Sequence, residues 1–290
     1  MTRQKIIVSL LSRDQEFQVL QAADAERAAA MAGFDIDVVY ANNNAILQQE
    51  RLFHFVQAQE RSRPVAIVAH SVAGDGLPRV AREAVKAGVG WVLLSRDVPY
   101  IDSLRERYPH LPIFIVSTDQ MNIGRTQGRQ FRSLLPAGGN VIYIQGPADT
   151  SAALQRLQGM EEAIAGAKIN VKVLTGEWTE ASGERALLSW LRLSSSEAET
   201  LDLVSAQNDA MAIGARKAIA ARRPQSLHIP FTGVDGLLGG GQRLVSEGQL
   251  AATVIVPSNT GPAVDLVAAQ LRTGQPAPAR VVLSSRGYPS

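Results

Sequence analysis

Seven short stretches of this chain carry side chains that can grip hydroxyl groups, and each follows an apolar run. They are Ser12-Arg13-Asp14-Gln15-Glu16-Phe17, His70-Ser71-Val72-Ala73-Gly74-Asp75, Ser95-Arg96-Asp97, Gln145-Gly146-Pro147, Glu177-Trp178, Gln207-Asn208-Asp209 and Asp235-Gly236. Asn, Asp and Arg supply directional donors and acceptors, and arginine grips two oxygens at once. Aromatic faces pack against the C–H face of a sugar ring. Together these residue types describe a carbohydrate site better than a nucleotide or metal site. Each also has an ordinary reading. Asn208 and Asp209 can cap a following helix, and Asp235-Gly236 can be a turn. Arg96 and Asp97 can form a surface ion pair, while Phe17 and Trp178 can be packing residues. Their joint placement behind strands favours binding.

Catalysis finds little support. The chain has no G-x-S-x-G elbow, no H-E-x-x-H pair and no Walker loop. The glycine-rich stretch from Gly236 to Gly241 lacks the lysine of a phosphate loop. The four histidines, at 54, 70, 110 and 228, show no ligand spacing, so neither a metal nor a cofactor is expected. His70 alone stands at a strand end, as a bystander or ligand contact.

The elements that must position these residues repeat one rhythm, a short apolar run followed by a longer helix-period stretch. Strands are predicted at Ile6–Leu11, Ile36–Tyr40, Val65–Ala69, Trp91–Leu94, Ile113–Val116, Val141–Ile144, Val171–Leu174, Leu201–Ser205, Phe231–Val234 and Thr253–Val256. Leu77, Val80, Ala81 and Ala84 share one helical face, as do Met211, Ala215, Ala218 and Ile219. Continuous Val/Ile/Leu strands alternating with helices indicate parallel sheets covered on both faces. The number of strands calls for two sheets. At 290 residues the chain fits two lobes. The break is expected near Ser117-Thr118-Asp119, without a Gly/Ser linker, hence a hinge of short crossing segments. Ligands of open parallel sheets sit at strand C-termini. The charged segment from Pro99 to Pro112 exceeds ordinary loop length and is read as a short surface helix or a partner contact.

Hydrophobic residues make up 46%, charged residues 19%, and the formal net charge is +2. No block of Lys and Arg is concentrated as nucleic-acid binders concentrate it. The absence of cysteine excludes disulfides and thiolate sites. No run approaches the ~18 apolar residues of a membrane span. Met1 to Gln4 is too short for a secretory leader. The expected compartment is therefore the periplasm if a leader has been removed, and the cytoplasm otherwise.

Three segments resemble the type I periplasmic sugar-binding proteins of the ribose/galactose class. Ala206-Gln207-Asn208-Asp209-Ala210-Met211-Ala212-Ile213-Gly214-Ala215 is similar to the family's A-Q-N-D-x-M-A-x-G-A. Thr150-Ser151-Ala152-Ala153-Leu154-Gln155-Arg156 is similar to its G-T-S-A-A-x-x-R helix start. Gly233-Val234-Asp235-Gly236 with Gly248-Gln249-Leu250-Ala251-Ala252-Thr253 is similar to G-F-D-G followed by G-x-L-A-A-T. The resemblance implies an α/β fold of two Rossmann-like lobes joined by a multi-segment hinge. The expected division is 1–118 with 257–279, and 119–256 with 280–290. It also implies that Asn208 and Asp235 bind sugar hydroxyls, that Arg156 donates to ligand oxygens and that Trp178 lies against the ring. Phe17 matches one of two stacked aromatics, and Arg96 the arginine of an Asp-Arg pair.

Three positions depart from the family pattern. Glu16 stands beside a single aromatic, and Ser95 replaces the aspartate, with Asp97 near enough to substitute. Asn259 is left as compensator at the final crossover. The implied function is a non-enzymatic solute-binding protein serving an ABC-type importer, with a permease or signalling protein as partner. The alternative is a cytosolic sensor related to repressor effector domains of the LacI type. Those carry a helix-turn-helix at their start, where this chain has its first strand from Lys5, so no nucleic acid is expected.

Overall fold

The computed structural model describes residues 3–193 and 200–289. The chain divides into two compact units, Met1–Thr118 with Ser258–Leu283, and Asp119–Pro257 with Ser284–Ser290.

In the first unit the strands are β1 (Lys5–Leu10), β2 (Asp35–Tyr40), β3 (Ala66–His70), β4 (Gly90–Leu94), β5 (Ile113–Thr118) and β11 (Arg280–Leu283). They form one sheet in the order β11-β5-β4-β3-β1-β2, parallel throughout. The helices α1 (Glu16–Ala32) and α10 (Thr260–Thr273) cover one face. The helices α2 (Ala45–Val56), α3 (Pro78–Lys86) and α4 (Tyr100–Arg107) cover the other. The central strands β3 and β4 are buried except at His70, the last residue of β3, because helices exclude water from both sides. The segment from Pro99 to Pro112 holds α4, whose Ile101 and Leu104 enter the core, making it an ordinary crossover helix.

The second unit holds a parallel sheet ordered β7-β6-β8-β9: β7 (Ile169–Thr175), β6 (Gly139–Gln145), β8 (Leu203–Ala206) and β9 (Phe231–Thr232). One face packs on α5 (Gln120–Leu134) and α6 (Ser151–Ile164). The other packs on α7 (Glu180–Leu191) and α8 (Asp209–Arg222). After β9 come α9 (Arg243–Ser246) and β10 (Thr253–Ile255), which pairs antiparallel with β12 (Arg286–Tyr288). Glycine lets α7 and α8 meet at backbone distance. A Cβ at Gly214 would lie 2.0 Å from the Glu180 carbonyl oxygen.

The predicted strands have counterparts among β1 to β10, while β11 and β12 went unpredicted. Residues 280–283, which the sequence reading groups with the second part, pair as β11 with β5 of the first unit. Their register, Arg280 opposite Ile115 through Leu283 opposite Thr118, keeps the chain in the first sheet for four further residues.

Candidate functional site

In the first unit the polar residues gather behind β1, β3 and β4. Gln18 and Gln21 are buried in the first turns of α1. Gln18 Oε1 accepts from the backbone N–H of Leu11 at 2.8 Å. Its Nε2 donates to Gln21 Oε1 at 2.7 Å and lies 3.3 Å from His70 Nδ1. Gln21 Nε2 donates to Asn259 Oδ1 at 2.6 Å. Asn259 Nδ2 donates in turn to Ser95 Oγ at 2.8 Å and to the Val116 carbonyl at 3.2 Å. Arg96 is buried at the end of β4, its Nη2 donating to the Ser71 carbonyl at 3.2 Å. Phe17 stands half-buried in the first turn of α1.

Two expectations are corrected here. Asn259 is 0% exposed, and both its amide hydrogens and its oxygen are committed to Ser95, Val116 and Gln21. It therefore braces the strand ends. Asp97 is turned toward Arg280, whose Nε donates to its Oδ1 at 2.9 Å. The same guanidinium grips both oxygens of Asp102 at 2.8 and 3.0 Å. β11, unpredicted from sequence, supplies the arginine that engages Asp97.

Burial holds the pKa of His70 down to about 3, with the charge of Arg96 adding to the effect. The imidazole is neutral at physiological pH and serves as a hydrogen-bonding group. A histidine depressed below its unfolded value of about 6.5 binds fewer protons in the folded chain. Its contribution to stability is thus complete above that value and is lost as pH falls toward 3. His70→Gln is expected to flatten the decline in stability between pH 6.5 and 4, read as urea midpoints across that range. Parallel pH profiles for the two proteins would contradict this.

In the second unit three side chains converge. Arg156 of α6 is 7% exposed. Its Nε donates to Gln120 Oε1 at 2.8 Å, its Nη1 donates to the Gln207 carbonyl, and its guanidinium lies 5.6 Å from the centre of the Trp178 ring. Burial lowers its pKa while the charge of Asp235 opposes that effect. An arginine keeps its charge under such pressure. Trp178 adopts φ 64°, and its ring fills the space where a Cβ on Gly146 would fall, 2.1 Å from Cζ2. Asn208 does cap α8, its Oδ1 accepting from the Met211 N–H at 2.9 Å. Its Nδ2 also donates to the Trp178 carbonyl at 2.8 Å, which ties the indole-bearing turn to the helix. Asparagine has two amide hydrogens and two lone pairs, so one of each remains for a ligand.

Asp235, half-buried at φ 109°, is fixed through its backbone between Val254 and Val256. The residue behind it is Asp209. Oδ1 of Asp209 accepts from Thr253 Oγ1 at 2.7 Å, and Oδ2 from the Gly236 N–H at 2.9 Å.

Sequence reasoning overlooked three glutamines: Gln18 and Gln21 link the Leu11 N–H, His70 and Asn259 in the first unit, and Gln120 holds the Arg156 guanidinium in the second. The spacing of Gln18 and Gln21 just behind the first strand was the available signal.

Two parallel α/β units with polar side chains at their strand C-termini are the architecture of a bilobal binding protein. The profile of the periplasmic binding protein domain matches residues 6–276, and the chain belongs to that family. It is a family of binding proteins rather than enzymes. The chain is 27% identical over 213 residues to a putative rhizopine-binding protein of Rhizobium meliloti, covering 72% of this chain and 64% of that relative. It is 24% identical over 254 residues to the ribose import binding protein RbsB of Salmonella typhimurium, covering 88% of this chain and 79% of that protein. Among solved structures it is similar to the periplasmic binding protein component of the arabinose ABC transporter of Shewanella sp. ANA-3, bound to α- and β-L-arabinofuranose. That likeness has a TM-score of 0.85 at 22% identity and covers 98% of this chain and 91% of the other. Among the described residues no helix is long and apolar enough to cross a membrane.

Proposed function

We propose that this chain is the solute-binding protein of an ABC-type importer, closing on a sugar or related polyol. The observation that carries the reading is the set of Arg156, Trp178, Asn208 and Asp235 in the second unit. It combines a buried cation, an aromatic face, an amide with donor and acceptor capacity to spare and a carboxylate. In the first unit, taken by itself, the proposed contacts are Phe17, Arg96 and neutral His70, with Asn259 as brace and Asp97 held by Arg280. The names of the relatives, a ribose import protein and an arabinose transporter component, support the ligand class and the transporter. The periplasm is the proposed compartment. Recovery of the chain only in the cytoplasmic fraction of its producing cell would overturn that assignment.

A thermal-shift screen against pentoses, hexoses and inositols, followed by calorimetry, tests the reading. At least one such ligand is expected to stabilise the protein. Asn208→Ala and Asp235→Ala are each expected to cost about 1–3 kcal/mol of binding free energy, as stranded polar partners do, with the fold intact. Folded protein that no sugar or polyol stabilises would refute it.

A further inference from the structure

The first unit carries a surface groove of about 600 Å³ that the ligand set leaves unused. Its floor is Val38, Val39 and Tyr40 of β2 with Phe55 of α2, and its rim is Arg13, Arg51 and His54. β2 is the outer strand of its sheet and pairs only with β1. Asp35 and Ala41 direct their N–H groups at β1, to the carbonyls of Gln4 and Leu10. Alternate residues of a parallel strand turn the opposite way, so Ile36, Val38 and Tyr40 present their backbone groups outward. Arg51 donates to the Tyr40 carbonyl. Among the described residues the other outward groups of these three have no hydrogen-bond partner.

Exposed edges are usually blunted by charge. Here the charged side chains that line the groove have one sign only, although Asp35 and Asp37 stand on β2 itself. The Arg13 guanidinium lies 4.7 Å from the centre of the Tyr40 ring, and no carboxylate lines the groove. The nearby Asp37 of β2 is engaged by Lys5 at 2.8 Å. An apolar, aromatic floor rimmed by arginine is the composition of a protein interface.

We propose that this groove receives an extended acidic segment of a partner protein, which adds to the β2 edge as a further strand with its carboxylates on Arg13, Arg51 and His54. The cationic rim selects the sign of the partner. The outward backbone groups select an extended peptide over a small anion, which would have no use for the amides of Ile36 and Val38. The inference is independent of the sugar reading.

The test uses the full chain, ¹⁵N-labelled, with a fluorescein-tagged hexapeptide alternating Glu and Val and its Lys–Val counterpart. The Glu–Val peptide is expected to bind more weakly as salt rises and to shift the amide signals of Ile36 and Val38. The Lys–Val peptide is not expected to bind. The double variant R51E/H54E is expected to lose at least about tenfold in affinity for the Glu–Val peptide and to gain affinity for the Lys–Val one. Unchanged thermal stability shows that this variant is folded. Absence of Glu–Val binding, equal binding of the two peptides, or indifference to charge reversal would overturn the proposal. So would displacement of the peptide by inorganic phosphate or a short DNA strand with no shift at Ile36 and Val38, since that describes a generic anion patch.

Discussion

Gly124→Ala is expected to destabilise the second unit by about 2 kcal/mol, although alanine is the better helix former by ~1 kcal/mol. A Cβ on Gly124 of α5 would lie 2.0 Å from the carbonyl oxygen of Arg156 on α6, and 2.8 Å from its carbonyl carbon. That obstacle is backbone, so no rotamer change relieves it, and the helices must separate. Overpacking of this kind costs ~1–3 kcal/mol and occasionally more, which outweighs the propensity gain. The approach is reciprocal, since a Cβ on Gly159 of α6 would lie 2.1 Å from the Met121 carbonyl oxygen. Because Arg156 is the residue pushed, affinity for the proposed ligand is expected to fall along with stability. Urea denaturation and calorimetry read the two effects, and an alanine variant more stable than the parent would contradict the argument.

Asp209→Ala is expected to cost more, about 3–4 kcal/mol, because it strands two buried donors at once. Thr253 Oγ1 and the Gly236 N–H both point at this carboxylate. The surrounding backbone has closed on it as well. Cβ atoms on Gly233 and Gly241 would come within 2.2 and 2.1 Å of its oxygens. Asp209→Asn is expected to cost less, since its amide oxygen can still accept from Gly236 while the Thr253 hydroxyl rotates to accept. The Asp235 turn is held through Gly236, so ligand affinity should follow the same order: parent, Asn, Ala. An alanine variant with parental stability, or an asparagine variant weaker than the alanine one, would show that Asp209 is no anchor. Its role would then reduce to its place in the first turn of α8.

The regular elements were legible because their periodicities are local. The Val/Ile/Leu runs and the spacing of Met211, Ala215, Ala218 and Ile219 report burial without reference to any partner. β11 was not legible. Its four residues, Arg-Val-Val-Leu, are too short and too half-exposed to stand out, and only the pairing with β5 makes them a strand. The fate of Asp97 follows from that pairing. A carboxylate two residues past a missing aspartate looks like its substitute until an arginine 183 positions along the chain arrives beside it.

Asn259 and Asn208 show the same division from opposite sides. Both are amides beside a helix start, and in sequence both read as ligand groups. Asn259 lies where Gln21, Ser95 and Val116 meet, so both its amide hydrogens and one lone pair of its oxygen are used, and it is 0% exposed. Among the described residues the Asn208 side chain bonds the Met211 N–H and the Trp178 carbonyl, which leaves half of its capacity.

The polar residues behind the strands were thus chosen by the sequence itself, through residue type and position after apolar runs. Which of them have hydrogen-bonding atoms left for a solute was decided by tertiary structure alone. A residue's donors and acceptors are local properties, but their satisfaction depends on groups that only folding brings within about 3 Å.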